Sequence, residues 1–318
     1  MVEIIVFTLG LVLLIKGSDY FVEAASRFAK GFGVSEFLVA LVLASIATTL
    51  PPELTVSAIS SYHGNPPDVA LGNAIGSALA NIALILGVSS LIHPLDVEKT
   101  AWRNSLFMIA VTAYSGLLMY DGTISRLDGA SLIAIYFGFL YYLYKKHMTL
   151  EDLPPEEGRG DPRRDGLIML VSGILVVIGA EFVVDSAVKM ARAFGGVPEV
   201  VIGLTMVSIG TSLPEFTNSV TATLKGLHNV GVGNMIGADI LDILMVIGVA
   251  AVIHPIRVDP PSIYAFTLPP LTLLVMAILT AVLRLTGRIN RLTGTVFLAI
   301  YSYFLYVYFT GGVNLPGG

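Results

Sequence analysis

Cysteine is absent from this 318-residue chain, and charged residues make up only 13% of it. The absence of cysteine excludes disulfide bonds, thiolate metal sites and cysteine nucleophiles. Soluble domains carry about 25% charged residues, whereas this chain is 55% hydrophobic and has a mean hydropathy of +0.81. The composition therefore indicates a polytopic membrane protein rather than a soluble domain with an anchor.

Histidine is scarce as well, because only five residues are scattered along the chain, without the spacing of metal ligands. No pairing of a nucleophile with a base, no phosphate-binding loop and no basic nucleic-acid surface can be recognised. We therefore predict that the protein is not an enzyme and that it has no cofactor. The lipid bilayer is its expected environment, with no nucleic-acid partner and no evident protein partner.

Long apolar runs are what the chain has in abundance. A membrane-spanning helix needs about 20 predominantly apolar residues, and ten such runs can be counted. They cover roughly residues 2–16, 34–62, 68–92, 104–120, 127–145, 165–188, 197–224, 229–253, 262–283 and 292–310. The fold class predicted from this pattern is an all-α membrane protein with ten transmembrane helices.

One charged segment rich in Pro and Gly, at residues 148–166, divides the chain into two halves of five spans, 1–147 and 167–318. The halves resemble each other: GNAIGSALANIALILGV begins at Gly72, and GNMIGADILDILMVIGV begins at Gly233. An internal repeat indicates the architecture of a protein more strongly than other sequence signals do. Because five is odd, the second half must lie upside down relative to the first, which is the inverted-topology repeat typical of secondary transporters.

The distribution of Lys and Arg predicts the orientation in the membrane. With both termini outside, 14 cations fall on the cytoplasmic side and 4 outside, and cytoplasmic loops are the ones that carry excess Lys and Arg. The cytoplasmic set is Lys16, Arg27, Lys30, Lys99, Arg103, Lys145, Lys146, Arg159, Arg163, Arg164, Lys225, Arg284, Arg288 and Arg291; the outer set is Arg126, Lys189, Arg192 and Arg257. We expect a protein of the cytoplasmic membrane with a cytoplasmic central linker.

Two matching stretches, residues 44–57 and 207–219, interrupt the second and seventh spans, which we therefore predict to be broken helices. Each stretch reaches a pair of hydroxyl residues, meets proline, and then has a glutamate, Glu53 or Glu215. An acidic residue inside an apolar run is by default a functional-site hypothesis, and proline frees a backbone carbonyl. Carboxylate, hydroxyl and freed carbonyl oxygens together suit a hard cation. In the alternative interpretation, each glutamate belongs to a buried ion pair. No Lys or Arg falls inside the central apolar runs, so such a pair would lack its cation.

The hydroxyl residues beside these glutamates are Thr211 and Ser212 in the second stretch and Thr48 and Thr49 in the first. Thr211 and Glu215 are four residues apart, so they share a helix face. Thr49 has the same spacing from its glutamate, but Thr48 matches Thr211 better by context because an extra proline is inserted in the first stretch. The sequence leaves open which of the two threonines points at the site.

The following spans contribute a second set of polar residues. Asn73 and Asn81 are eight apart, as are Asn234 and Asp242, and eight residues bring two side chains to nearly one helix face. In an alternative interpretation, Asn73 and Asn234 do not contribute to the site but cap or bridge the backbone. Asp239 is also an intramembrane acid, although its repeat partner is Ala78.

At these residues the chain resembles the calcium/cation antiporter superfamily, especially its prokaryotic sodium/calcium exchanger branch. TTLPPE (residues 48–53) and TSLPE (residues 211–215), each followed by a GN-x-IG segment, look like that family's two repeat motifs. The resemblance implies that the motif glutamates bind Ca²⁺ with the motif threonines, and that Asn81 and Asp242 complete the centre. It also implies flanking sodium sites with a hydroxyl at Ser77 and at the position of Ala238, where none is present.

The predicted function is a secondary active antiporter that exchanges Ca²⁺ for H⁺ or Na⁺ by alternating access. The missing hydroxyl at Ala238 favours protons slightly, and a sodium/calcium exchanger is the alternative, with Asp239 as the replacement ligand. A Ca²⁺-selective channel would also line its path with acids, but inverted repeats favour a transporter. The candidate metal-binding residues are Glu53, Glu215, Thr48, Thr49, Thr211, Ser212, Asn81, Asp242, Ser77 and Asp239.

The predicted orientation can be tested at Gly160, in the linker. Because the chain has no cysteine, Gly160→Cys introduces one unique thiol. We expect an impermeant maleimide to label it only from the cytoplasmic side. Labelling from the outside would contradict both the orientation and the inverted repeat that depends on it.

Overall fold

The computed structural model describes residues 2–62, 67–149, 161–194, 199–258 and 268–309. The linker segment 150–160 lies outside the described residues, as do the first residues of the seventh and ninth predicted spans. The described part is almost entirely helical, as predicted. Seven helices in it are long and apolar enough to cross a membrane, so ten spans are not established by length and composition alone.

The first half begins with α1 (Val2–Phe32) and a continuous helical run. The run comprises α2 (Glu36–Val39), π1 (Ala40–Ala44), α3 (Ser45–Thr49), π2 (Leu50–Leu54) and α4 (Thr55–Tyr62). There follow α5 (Pro67–Leu79), π3 (Ala80–Leu86), α6 (Gly87–Ile92), β1 (Leu95–Asp96), α7 (Ala101–Leu118), β2 (Thr123–Ile124) and α8 (Arg126–Thr149).

The second half has the corresponding order. It comprises α9 (Pro162–Phe194), α10 (Glu199–Leu224), α11 (His228–Leu241), π4 (Asp242–Val246), α12 (Ile247–Ile253), β3 (Ile256–Arg257), α13 (Leu268–Thr286), β4 (Arg288–Ile289) and α14 (Arg291–Phe309). Within the described residues, each of the ten predicted spans therefore falls mostly on a helix or a helical run. The four short strands are an addition that the apolar pattern did not indicate.

The expected break of the second and seventh spans needs correction. Pro214 does not end a helix, because α10 continues through it from Glu199 to Leu224. In the first half, Pro51 and Pro52 lie in the π-helical turn π2, and the chain stays helical on both sides. Proline removes a backbone donor, but neighbouring helices can satisfy the local groups that it frees in a buried bundle.

The first span is also longer than predicted, because α1 continues beyond residue 16 to Phe32. Gly17 packs against Val176 of α9. The acids that follow face a lysine at the end of α10: Lys225 Nζ lies 2.7 Å from Glu23 Oε1 and 3.4 Å from Asp19 Oδ1. The hydrogen bond to Glu23 raises the pKa of Lys225, and both acids are thus paired with a lysine that follows α10.

The two halves pack through equivalent contacts. Strand β1 pairs antiparallel with β4, and β3 pairs antiparallel with β2. Glycines bring the corresponding helices together: a Cβ on Gly294 of α14 would lie 2.8 Å from the Gly87 carbonyl oxygen of α6, and a Cβ on Gly129 of α8 would lie 2.6 Å from that of Gly248 on α12. The internal repeat seen in the sequence is therefore also a repeat of tertiary contacts.

Helices α1 and α9 pack against each other at Gly10 and Gly179. A Cβ on Gly179 would lie 2.6 Å from the Leu14 backbone nitrogen and 2.8 Å from the Gly10 carbonyl oxygen. Because these are backbone atoms, they cannot move aside without moving α1. We expect Gly179→Ala to lower the free energy of unfolding by about 1–3 kcal/mol, which a lower midpoint of thermal unfolding in detergent would report.

The matched control for this prediction is Gly116→Ala on α7, where an added Cβ meets nothing within 4 Å. Alanine favours a helix over glycine by about 1 kcal/mol, so the control should keep or raise the midpoint. Equal losses in both variants would contradict the close packing of α1 on α9.

Candidate functional site

Glu53 lies in π2, between the two prolines and α4, and its side chain is fully buried. Neither of its carboxylate oxygens meets a hydrogen-bond donor, although its carboxyl group lies beside that of Asp242 and near the Ser77 hydroxyl. The π-helical turn widens the backbone at this point, and such turns occur frequently at functional sites. The first motif thus presents a carboxylate to the interior with both oxygens available.

Glu215 occupies the matching position on α10, directly after Pro214, and is also fully buried. Its Oε1 accepts a hydrogen bond of 3.0 Å from the Thr49 hydroxyl of the other motif, while its Oε2 has no partner. Thr48 lies near the same carboxylate, but its hydroxyl donates to the Ala44 carbonyl at 3.2 Å. Of the two threonines that the sequence left open, Thr49 is the one that joins the two motifs.

The hydroxyls of the second motif point to α5. Thr211 Oγ1 donates to Asn73 Oδ1 at 3.2 Å, and Ser212 Oγ donates to Ser77 Oγ at 3.3 Å. Asn73 in turn donates to the backbone carbonyl of Glu53 at 3.3 Å. Asn73 therefore bridges backbone and motif hydroxyls, which is the structural role considered for it.

The corresponding contacts of the first motif differ. Thr49, the counterpart of Ser212, donates to Glu215, and Ala238, the counterpart of Ser77, has no hydroxyl. Asn234, the counterpart of Asn73, is buried, and neither its amide nitrogen nor its carbonyl oxygen has a partner. Thr48, the counterpart of Thr211, donates to the Ala44 carbonyl, so the contact that Thr211 makes with Asn73 has no equivalent at Asn234.

Two further acids lie across the site on α11 and π4. Asp239 Oδ1 accepts from Asn81 Nδ2 at 3.0 Å, which leaves its Oδ2 and the Asn81 Oδ1 without partners. Asp242, at the start of π4, lies beside Glu53 with no hydrogen-bond donor at either of its oxygens. The structure therefore brings Asp239 to the same interior as the acids that match between the repeats.

No Lys or Arg of the described part of the chain balances the charge of this interior. Four fully buried carboxyl groups, those of Glu53, Glu215, Asp239 and Asp242, have no Lys or Arg partner among the described residues, where every ion pair lies elsewhere. A buried charge without a partner costs several kcal/mol. The arrangement is therefore suited to hold cations or protons.

The donor set resembles a calcium site more than a transition-metal site. Within the described ranges, no three Asp, Glu, His or Cys side chains are grouped closely enough to hold a metal ion by themselves. A cation here would need hydroxyl, amide and carbonyl oxygens beside one or two carboxylates, and Ca²⁺ accepts such mixed oxygen ligands. Those oxygens are available on Ser77, Asn81, Thr211 and Ser212.

Two serines of this region were not singled out in the sequence. Ser57 accepts a hydrogen bond of 3.1 Å from Asn73, and Ser219 lies 3.2 Å from the Ser89 hydroxyl. They are the last residues of the two matching stretches, 44–57 and 207–219. Their equivalent positions in the repeat are the signal by which the sequence could have identified them. Both serines therefore link neighbouring helices through hydrogen bonds.

Comparison with known proteins gives a consistent result. The family described as sodium/calcium exchanger protein matches residues 2–145 and 166–310. The chain is 34% identical to the uncharacterised membrane protein MJ0091 of Methanocaldococcus jannaschii, over 93% of this chain and 94% of that protein. It is 33% identical to the putative antiporter CaxA of Alkalimonas amylolytica, over 98% and 99% of the two chains.

The fold is also similar to a solved structure of the sodium-calcium exchanger NCX_Mj, soaked with 2.5 mM Na⁺ and 10 mM Sr²⁺. The TM-score is 0.84 at 32% sequence identity, and the match covers 96% of this chain and 98% of that chain.

Removal of one site carboxylate should abolish cation binding. A ligand that binds only the folded state raises its stability by about 2.7 kcal/mol at one hundred times its dissociation constant, so Ca²⁺ should raise the thermal midpoint of the unmodified protein. We expect Glu53→Gln and Glu215→Gln to lose this rise and Ca²⁺ transport, while both variants still fold.

The control is Asp185→Asn, which removes an exposed carboxylate that pairs with Lys189 on the surface of α9. This variant should keep the calcium-dependent rise in full. A rise that persists in both glutamine variants would show that the two carboxylates do not bind the ion.

Proposed function

The chain belongs to the sodium/calcium exchanger family, and from that premise we propose that it is a secondary active antiporter that exchanges Ca²⁺ for a monovalent cation. The observation that carries the proposal is the set of buried, unbalanced carboxyl groups contributed by two matching motifs. Intramembrane acids of this kind mark ion pathways. The protein's relatives named as antiporter and as sodium-calcium exchanger support the same reading.

Transport proceeds by alternating access around this site. In the proposal, ten helices form two five-helix repeats of inverted topology, with both termini outside the cytoplasmic membrane, and the site lies where the repeats meet. Glu53 and Glu215 serve Ca²⁺ and the counter-ion in turn. The two ions therefore compete for the same carboxylates and are not carried together.

The counter-ion that we propose is the proton. Ser212 meets the Ser77 hydroxyl, whereas the equivalent position in the other repeat is Ala238, which has no oxygen to offer. A dehydrated sodium ion needs several oxygen ligands, so the loss of one oxygen weakens its site directly. A proton on a carboxylate needs no such additional ligand.

Sodium is the second candidate, and one observation favours it. Asp239 lies one residue beyond Ala238, is fully buried, and has an Oδ2 without a partner. This oxygen could replace the absent hydroxyl as a sodium ligand. The similarity to the sodium-calcium exchanger NCX_Mj points in the same direction.

Calcium uptake into proteoliposomes under separate gradients distinguishes the counter-ions. We expect a pH gradient to drive Ca²⁺ movement when sodium is absent. Because carboxylates must release protons before they bind a metal, the apparent Ca²⁺ affinity should also fall as the pH is lowered. Rapid transport driven by sodium alone, with none driven by a pH gradient alone, would overturn the proton proposal and favour Asp239 as a sodium ligand.

The matched variant is Ala238→Ser, which restores the hydroxyl that the first repeat has at Ser77. It should leave proton-driven flux nearly unchanged and increase inhibition by sodium. Flux without coupling to any opposing gradient, in the unmodified protein, would indicate a channel instead of an antiporter.

A further inference from the structure

A groove of about 390 Å³ lies between α7 and α8, away from the carboxylate site. Its floor is formed by Phe107 and Phe139, whose rings stack with their centroids 4.3 Å apart. Ile135 extends this apolar floor along α8. The proposed exchange function makes no use of this groove.

Gly138 opens the groove towards its surroundings. A Cβ at this position would meet nothing within 4 Å, although the residue lies in the middle of α8 and alanine would favour the helix by about 1 kcal/mol. The absence of a side chain here leaves room beside Phe139 for part of another molecule.

Two cations lie at one end of the groove, Arg103 near the start of α7 and Lys146 near the end of α8. Asn104 and Tyr142 line the same end. Both cations lie just outside the predicted spans 104–120 and 127–145, where the membrane interface is expected, whereas Phe107 and Phe139 of the floor lie within those spans. Positive charge above an apolar groove is the pattern of a phospholipid with an anionic headgroup.

Large side chains that adjoin the groove residues in sequence are exposed on α7 and α8. Leu106, Phe137 and Tyr141, which are next to Phe107, Gly138 and Tyr142 in the chain, are 51%, 59% and 63% exposed. On predicted membrane spans, exposed large apolar side chains are expected to contact lipid, so the bilayer is the expected source of a molecule in the groove.

We propose that this groove binds one anionic phospholipid, with its phosphate on Arg103 and Lys146 and an acyl chain along Phe107, Phe139 and the space beside Gly138. Each cation near the membrane surface favours an anionic lipid by about 1 kcal/mol. Two cations therefore predict a preference of up to roughly 25-fold for an anionic over a zwitterionic lipid.

Native mass spectrometry of the full-length, delipidated protein tests the proposal. Phosphatidylglycerol and phosphatidylcholine with identical acyl chains are titrated separately, and the fraction of protein with one bound lipid is measured. We expect tighter binding of phosphatidylglycerol by about tenfold to 25-fold. Equal binding of the two lipids would overturn the proposal.

Two variants locate the site. Arg103→Gln combined with Lys146→Gln should remove the preference for phosphatidylglycerol, and Gly138→Leu should weaken binding of both lipids because it fills the groove. The control, Lys16→Gln combined with Arg291→Gln, removes the same charge from exposed positions on α1 and α14 and should keep the preference. A preference that survives the Arg103 and Lys146 variant, or phosphatidylglycerol that excess inorganic phosphate displaces fully, would rule out a lipid site in this groove.

Discussion

The structure depends on one electrostatic constraint, which is that buried carboxyl groups in apolar surroundings need a positive partner. Glu53 and Asp242 lie beside each other with no hydrogen-bond donor at their oxygens, and Glu215 has a single donor, Thr49. No lysine or arginine among the described residues supplies the balancing charge. The site is therefore favoured in forms that carry a cation or protons, and in the exchange proposed above this requirement would couple the binding of one ion to the release of another.

Close helix packing is what brings these groups together. Gly237 on α11 lies against the Leu41 carbonyl of π1, so that α11 and the run that contains Glu53 approach at the distance of backbone atoms. Small residues allow such approaches in membrane proteins, where no hydrophobic force drives helices together. The π-helical segments that contain Glu53, Asn81 and Asp242 then set the directions of the polar side chains within this tight frame.

Helices α1 and α9 form a separate pair that is joined by glycine contacts. Ser18 donates to Asn218 of α10 at 2.7 Å, and Lys225 binds Glu23 near the end of the same helix. These polar contacts hold the α1–α9 pair against α10, the helix that carries Glu215.

The sequence alone determined the helical membrane class, the repeat and the positions of Glu53 and Glu215, because hydropathy and an acid in an apolar run are local signals. It did not reveal that α10 continues through Pro214, since that depends on neighbouring helices, nor the short strand pairs, whose partners are distant in sequence. The choice between Thr48 and Thr49 also depended on tertiary structure. The direction of a hydroxyl group depends on the acceptor that faces it. Here that acceptor is Glu215 of the other repeat, which accepts from Thr49, and residue spacing within one segment cannot specify such a contact.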